Sequence, residues 1–187
     1  MDLVLTNIYI FILATVLAIL EIQIEGEHGW AKNLPTWRPR ENLWFVKIYS
    51  KVMGGREVTG YHMTMFSLVL LIFHLPYVFG LPFTIDRELR TLSFYFIFIG
   101  LWDFLWFVLN PHYPLSKFKK EHIWWHRKWF LFAPLDYYLL LFLSFVVVIP
   151  TNDIYWWAFN VSLFSIQTLF VILFTLHILK IDKWKIS

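Results

Sequence analysis

Residues 3–20 read LVLTNIYIFILATVLAIL, a run without a single charged side chain, and this stretch decides the fold. The hydrocarbon core of a bilayer is about 30 Å thick and is crossed by roughly 20 apolar residues in a helix. A cleavable secretory signal would show a basic leader, a shorter apolar stretch and a small-residue cleavage site, so the run is read as a retained first span. Four further apolar runs follow, at residues 62–83, 92–110, 134–150 and 154–179. Pro76 lacks the N–H that the helical ladder needs and predicts a kink in the second run. Pro111 and Pro114 end the third. The expectation is an all-α polytopic membrane helix bundle of about five transmembrane helices, forming one integral membrane domain over residues 1–187.

Composition supports this over the soluble domain that 187 residues would otherwise suggest: 59% of the chain is hydrophobic, 21% aromatic, and the mean hydropathy is +0.59. Cysteine is absent, which removes disulfides, thiolate ligands and cysteine nucleophiles. The net charge of +3 does not indicate nucleic acid, because the basic residues fall in loops beside apolar runs, where they report topology. Lys32, Arg38, Arg40, Lys47, Lys51 and Arg56 lie in the first long loop. Lys117, Lys119, Lys120, Arg127 and Lys128 lie in the second, and Lys180, Lys183 and Lys185 in the tail. The other face has only Arg87 and Arg90. The positive-inside rule therefore places the N-terminus outside and both long loops and the C-terminus in the cytoplasm, with the plasma membrane as the expected location.

Each long loop is expected to carry a short interfacial helix. Residues 41–53 mix Leu43, Trp44, Val46, Ile48 and Tyr49 with Lys47 and Lys51, and Gly54-Gly55 follows where a helix would be capped. In the second loop, Ser116 could cap a helix running through His122 and His126. Tyr155, Trp156 and Trp157 would mark the outer interface, and Trp124, Trp125, Trp129 and Trp184 the inner one.

With this topology, the acids and histidines of three distant stretches fall at one depth. Glu21 and Glu25 end the first span at i,i+4 spacing, which sets both carboxylates on one helical face. His62 begins the second span, and Asp103 lies two turns before the end of the third. A carboxylate within an apolar segment faces a bundle interior and has a partner. His122 and His126 repeat the i,i+4 spacing in the loop. Glu21, Glu25, His62, Asp103, His122 and His126 thus make an oxygen and imidazole ligand set suited to iron, manganese or zinc, of unspecified nuclearity. Acids this close repel unless a cation or shared protons intervene. Each residue also has a plainer reading: solvated acids for Glu25 and Glu27, a structural hydrogen bond for Asp103, an interfacial anchor for His126, and surface positions for His122, His112 and His28. His74 and His177 read as packing histidines, and Asp136 as a helix-end acid or a partner orienting a histidine.

The expected function is a membrane-embedded metal-dependent enzyme acting on a lipid or other hydrophobic molecule. Oxidation or desaturation with electrons from a donor protein is favoured over hydrolysis, and Arg38, Arg40, Lys119 and Lys120 are expected to hold a phosphate headgroup. The alternatives are a proton or metal-ion carrier, for which acids and histidines in spans are also the signature, and a non-catalytic subunit of a larger membrane complex.

Overall fold

The computed structural model describes residues 3–181. Six α-helices account for most of the fold: α1 (Leu3–Glu25), α2 (Trp44–Val52), α3 (Gly60–Val78), α4 (Ile85–Leu109), α5 (Leu135–Val148) and α6 (Ile154–Leu173). A π-helical turn, Phe174–Leu179, continues α6, and a two-residue hairpin pairs β1 (Trp129–Phe130) with β2 (Ala133–Pro134).

Four helical segments are long and apolar enough to cross a membrane: α1, α3, α4, and α6 with its π-helical extension. The remaining apolar run, 134–150, forms α5. That helix and the 3-10 turn after it, Ile149–Thr151, make an apolar segment shorter than the other four. Pro134 starts it and Pro150 closes it, so the sequence has no room to lengthen the helix. Two other boundaries also move. The charged turn at 84–90 is the first turn of α4, where Thr84 accepts from the Arg87 N–H and Asp86 and Glu88 suit the positive end of the helix dipole. Helix α3 ends two residues beyond Pro76, so the proline terminates the helix and does not bend its middle.

Helix α4 is the hub and packs against α1, α3, α5 and α6. On α1 the buried positions Asn7, Phe11, Ala14, Ala18, Glu21 and Glu25 alternate steps of four and three, which is a single helical seam. Ala14 and Ala18, both fully buried, let α4 approach closely. The same seam carries Glu21 and Glu25 inward, while Leu5, Tyr9, Ile12 and Val16 are exposed on the opposite side. Phe98, Leu105 and Phe107 of α4 and Val69 of α3 form the dry centre.

At one end of the bundle, Asn7 donates to the Asn160 side-chain oxygen at 2.9 Å and accepts from Gln167 at 2.6 Å, tying α1 to α6. Ser93 donates to the Ser144 carbonyl, and the Trp157 indole donates to the Ser144 hydroxyl, tying α4, α5 and α6. Arg90 pairs with Asp153 at 2.8 Å.

The two long connections meet at the other end. Helix α2 forms where the mixed apolar and basic pattern placed it. The helix expected through His122 and His126 does not form: only a 3-10 turn, Leu115–Lys117, follows Pro114, and the chain then runs through turns to the hairpin. Trp125 is not an interfacial anchor. It is 4% exposed and stacks on Phe107 of α4 at 5.8 Å. Trp124 is half exposed, and Trp184, Lys183 and Lys185 lie outside the described residues.

Candidate functional site

The end of α1 is shaped by a glycine-rich turn. Gly26, in the left-handed region, closes the helix by donating to the Ile22 carbonyl. Gly29, Trp30 and Ala31 then all take positive φ, from 49° to 59°. For Trp30 and Ala31 this costs about 1–2 kcal/mol each, because Cβ crowds the carbonyl. The strained turn delivers three contacts. The Ala31 N–H donates to Glu25 Oε1 at 2.5 Å, Trp30 stacks on the His62 ring at 4.0 Å, and the Trp125 ring occupies the space beside Gly29 where a side chain would stand.

His62 is the third helical residue of α3. Thr59 caps that helix by accepting from the His62 N–H at 3.2 Å, and the same hydroxyl meets His62 Nδ1 at 2.7 Å. In the tautomer that donates from Nδ1 to Thr59, the Nε2 lone pair faces the carboxylates. Nε2 lies 3.6 Å from Glu25 Oε1 and 3.8 Å from Glu21 Oε1. These separations are too long for hydrogen bonds. They suit ligands of one cation: bonds of about 2.0–2.2 Å in tetrahedral arrangement put ligand atoms roughly 3.4 Å apart. One ligand atom from each of Glu21, Glu25 and His62 falls within 4.8 Å of the others, and all three residues are buried. The Tyr61 hydroxyl and the indole N–H of Trp102 are buried beside the Glu21 carboxylate.

Asp103 and His126 join a neighbouring network. His126 Nε2 lies 3.1 Å from Asp103 Oδ2, and its Nδ1 lies 3.0 Å from Asp136 Oδ2. The Tyr137 hydroxyl donates to the same Asp103 oxygen at 2.5 Å. Arg56, buried beneath the loop, donates from Nε to the Trp125 carbonyl at 2.8 Å, reaches Asp136 and the His126 ring with its terminal nitrogen, and lies over the Trp30 ring. Burial works against a charged His126. The Asp103 charge and the hydrogen bonds to Asp103 and Asp136 outweigh it, and the imidazole is held above its ordinary pKa. Asp103 engages Nε2 and Asp136 engages Nδ1, so the ring has no free nitrogen for a metal.

The sequence-based ligand set therefore divides. Glu21, Glu25 and His62 come together as expected. Asp103 lies close enough to feel their charges, but its carboxylate is engaged by His126 and Tyr137. His122 is exposed and enters only through its backbone, its carbonyl accepting from the Tyr113 hydroxyl and its N–H donating to the Lys119 carbonyl. Its i,i+4 relation to His126 has no meaning without the helix. His28 is exposed. His74 is not a packing residue, since Nε2 meets Glu88 at 3.0 Å, and His177 is exposed on the last turn. Asp136 does orient a histidine.

Arg38 is held by Glu57 and by the carbonyls of Ala31, Leu34 and Thr36, and Lys119 and Lys120 are exposed and line no cavity with it. Sequence reasoning missed Arg56, counted only as a loop charge, and Asn110. Asn110 ends α4, accepts from the N–H groups of His112 and Tyr113, and donates to the Gly26 carbonyl at 2.8 Å, locking α1 to α4 beside the site. Its position before a proline was the available signal.

An apolar recess of about 490 Å³ opens beside the network, lined by Phe104, Phe118, Phe132, Tyr137, Tyr138 and Leu141 among others. Comparison of the chain with known protein families, curated proteins and solved structures gives no match, so the site stands on its own geometry.

Proposed function

We propose that this chain is an integral membrane metalloenzyme in which Glu21, Glu25 and His62 bind one divalent cation. The observation that carries the reading is the spacing of the three buried ligand atoms, too long for hydrogen bonding and right for a shared ion. Buried acids beside one another need a cation or protons, and a metal supplies the charge. Two carboxylates and one imidazole leave coordination positions open for water, oxygen or substrate. Iron, manganese and zinc all accept this donor set.

The substrate is a lipid or another hydrophobic molecule, reaching the site from the bilayer along the recess beside Tyr137. Asp103, His126 and Tyr137 form a hydrogen-bonded chain at its inner end, suited to giving and taking a proton. We favour oxidation with iron over hydrolysis with zinc, because the donor set is rich in carboxylates. Desaturation would remove two hydrogens from adjacent carbons. Dioxygen, two electrons from a donor protein and two protons would account for the balance as two waters. The N-terminus is taken to face outward and the site to lie at the cytoplasmic side, from the excess of Lys and Arg in the long loops.

A carrier role is less well supported. Between the triad and the Asn7–Asn160 pair the centre is filled by Ala14, Ala18, Val69 and Phe98, which offer no polar relay. The test is incubation of the reconstituted protein with membrane lipids, aerobically with a reductant and anaerobically without, followed by mass spectrometry. Metal-dependent loss of two mass units or gain of oxygen, absent in Glu25→Gln, is expected. No metal-dependent product, together with ion flux in liposomes of this protein alone, would favour the carrier instead.

A further inference from the structure

A second cavity, a groove of about 1040 Å³, lies between α2 and the loop before the hairpin, outside the acid and histidine cluster. Arg56 forms part of its floor. Its rim carries Arg40, Lys47, Lys51, Arg127 and Lys128, and none of these five side chains has a hydrogen-bonding or ion-pair partner among the described residues. The acids facing them are Glu41 and Glu57, and Glu57 is already paired with Arg38. Cations gathered so densely repel one another, and a multiply charged anion relieves that cost. Gly54 and Gly55 keep the rim low, and the Arg127 guanidinium packs over Gly55 where a Cβ would meet it at 2.5 Å.

Helix α2 indicates where the anion comes from. Trp44, Ile48 and Val52 are 74%, 56% and 72% exposed and stand at i, i+4 and i+8, one exposed apolar stripe. Lys47 and Lys51 follow the same spacing along the groove side. A helix with this division lies in the headgroup region, its apolar stripe in the acyl boundary and its lysines among the phosphates. The groove floor adds Val46, Val58 and Trp124, apolar surface suited to the glycerol end of a lipid.

We infer that this groove binds the phosphate of an anionic membrane lipid, with a phosphomonoester headgroup preferred. A monoester offers up to two charges and three oxygens to the cationic rim, whereas a choline headgroup would bring its own cation against Arg40 and Lys47. The inference does not depend on the metal. Its failure leaves the Glu21, Glu25 and His62 site untouched, and loss of metal leaves the groove intact.

The full chain in detergent is titrated with short-chain phosphatidic acid, short-chain phosphatidylcholine and inorganic phosphate, following tryptophan fluorescence, since Trp124 and Trp125 line the groove. Saturable binding of phosphatidic acid is expected, with phosphatidylcholine much weaker. Lys47→Gln with Lys51→Gln should weaken it at least about tenfold per lysine removed, the worth of a charge-assisted hydrogen bond. Lys119→Gln with Lys120→Gln, outside the groove, should leave affinity unchanged and controls for net charge. Unchanged circular dichroism and a monodisperse elution profile establish that the variants fold. If inorganic phosphate binds as tightly as phosphatidic acid, the source is soluble phosphate and the lipid assignment is overturned. Absence of saturable binding, or equal loss in both pairs of variants, overturns the site altogether.

Discussion

Arg56 is the residue whose removal the structure prices most clearly. It is 8% exposed, its Nε serves the Trp125 carbonyl, and its terminal nitrogen reaches Asp136 and the His126 ring. Breaking a buried ion pair by removing one partner costs about 3–5 kcal/mol. Asp136 keeps 27% of its side chain exposed, which favours the lower end, so Arg56→Met should cost about 3 kcal/mol. Arg56→Lys should recover little, because a single ammonium cannot reach the Trp125 carbonyl and Asp136 from two separate nitrogens. Asp136→Leu alone leaves the guanidinium unpaired and should be similarly harmful. The double variant replaces the pair with apolar surface and should be much less harmful than the sum, with a coupling of about 2 kcal/mol. The assay is denaturant unfolding in mixed micelles, read by tryptophan fluorescence. Additive effects, with no coupling beyond about 0.5 kcal/mol, would show that the two residues do not interact and would refute the reasoning.

Other outcomes follow from single positions. Gly29→Ala would set a Cβ 2.5 Å from the Trp125 ring at a φ of +59°, whereas Gly26→Ala meets nothing within 4 Å at a similar φ. Thermal unfolding should rank the first well below the second, which should cost only about 1 kcal/mol. His126 is held above its ordinary pKa of 6.5, so its contribution to stability is complete below that value and is lost as pH rises through the folded-state pKa. A stability profile against pH should fall on the alkaline side in the native chain, and His126→Gln should flatten that fall. Asn7→Leu leaves Gln167 and Asn160 without their partner between α1 and α6 and should destabilise the bundle by about 1–2 kcal/mol in the same micelles, with no change in metal content.

Much of the fold was legible because it follows from composition and period. Long apolar runs gave α1, α3, α4 and α6, and the i,i+4 relation of Glu21 and Glu25 held because α1 is continuous through both residues. Helix α2 was readable from its mixed apolar and basic pattern and its glycine stop. The same spacing rule failed at His122 and His126, since spacing carries information only where a helix exists. The aromatic side chains of that loop pack instead as Trp125 on Phe107.

The convergence of the acids with His62 could be foreseen from depth alone. The division between the triad and the Asp103–His126 network could not, because it depends on Asp136 and Tyr137, brought in by the packing of α5 against α4. Arg56 was hidden for a similar reason: a loop arginine becomes buried only once two distant loops close over it.

The central claim is tested most directly by metal analysis of the purified protein, with His62→Ala, His122→Ala and Asp103→Asn measured beside it. The account predicts close to one iron, manganese or zinc per chain in the native protein. It also predicts retention in His122→Ala and Asp103→Asn, and loss in His62→Ala. Native protein without metal after reconstitution, or His62→Ala with full occupancy, would contradict it.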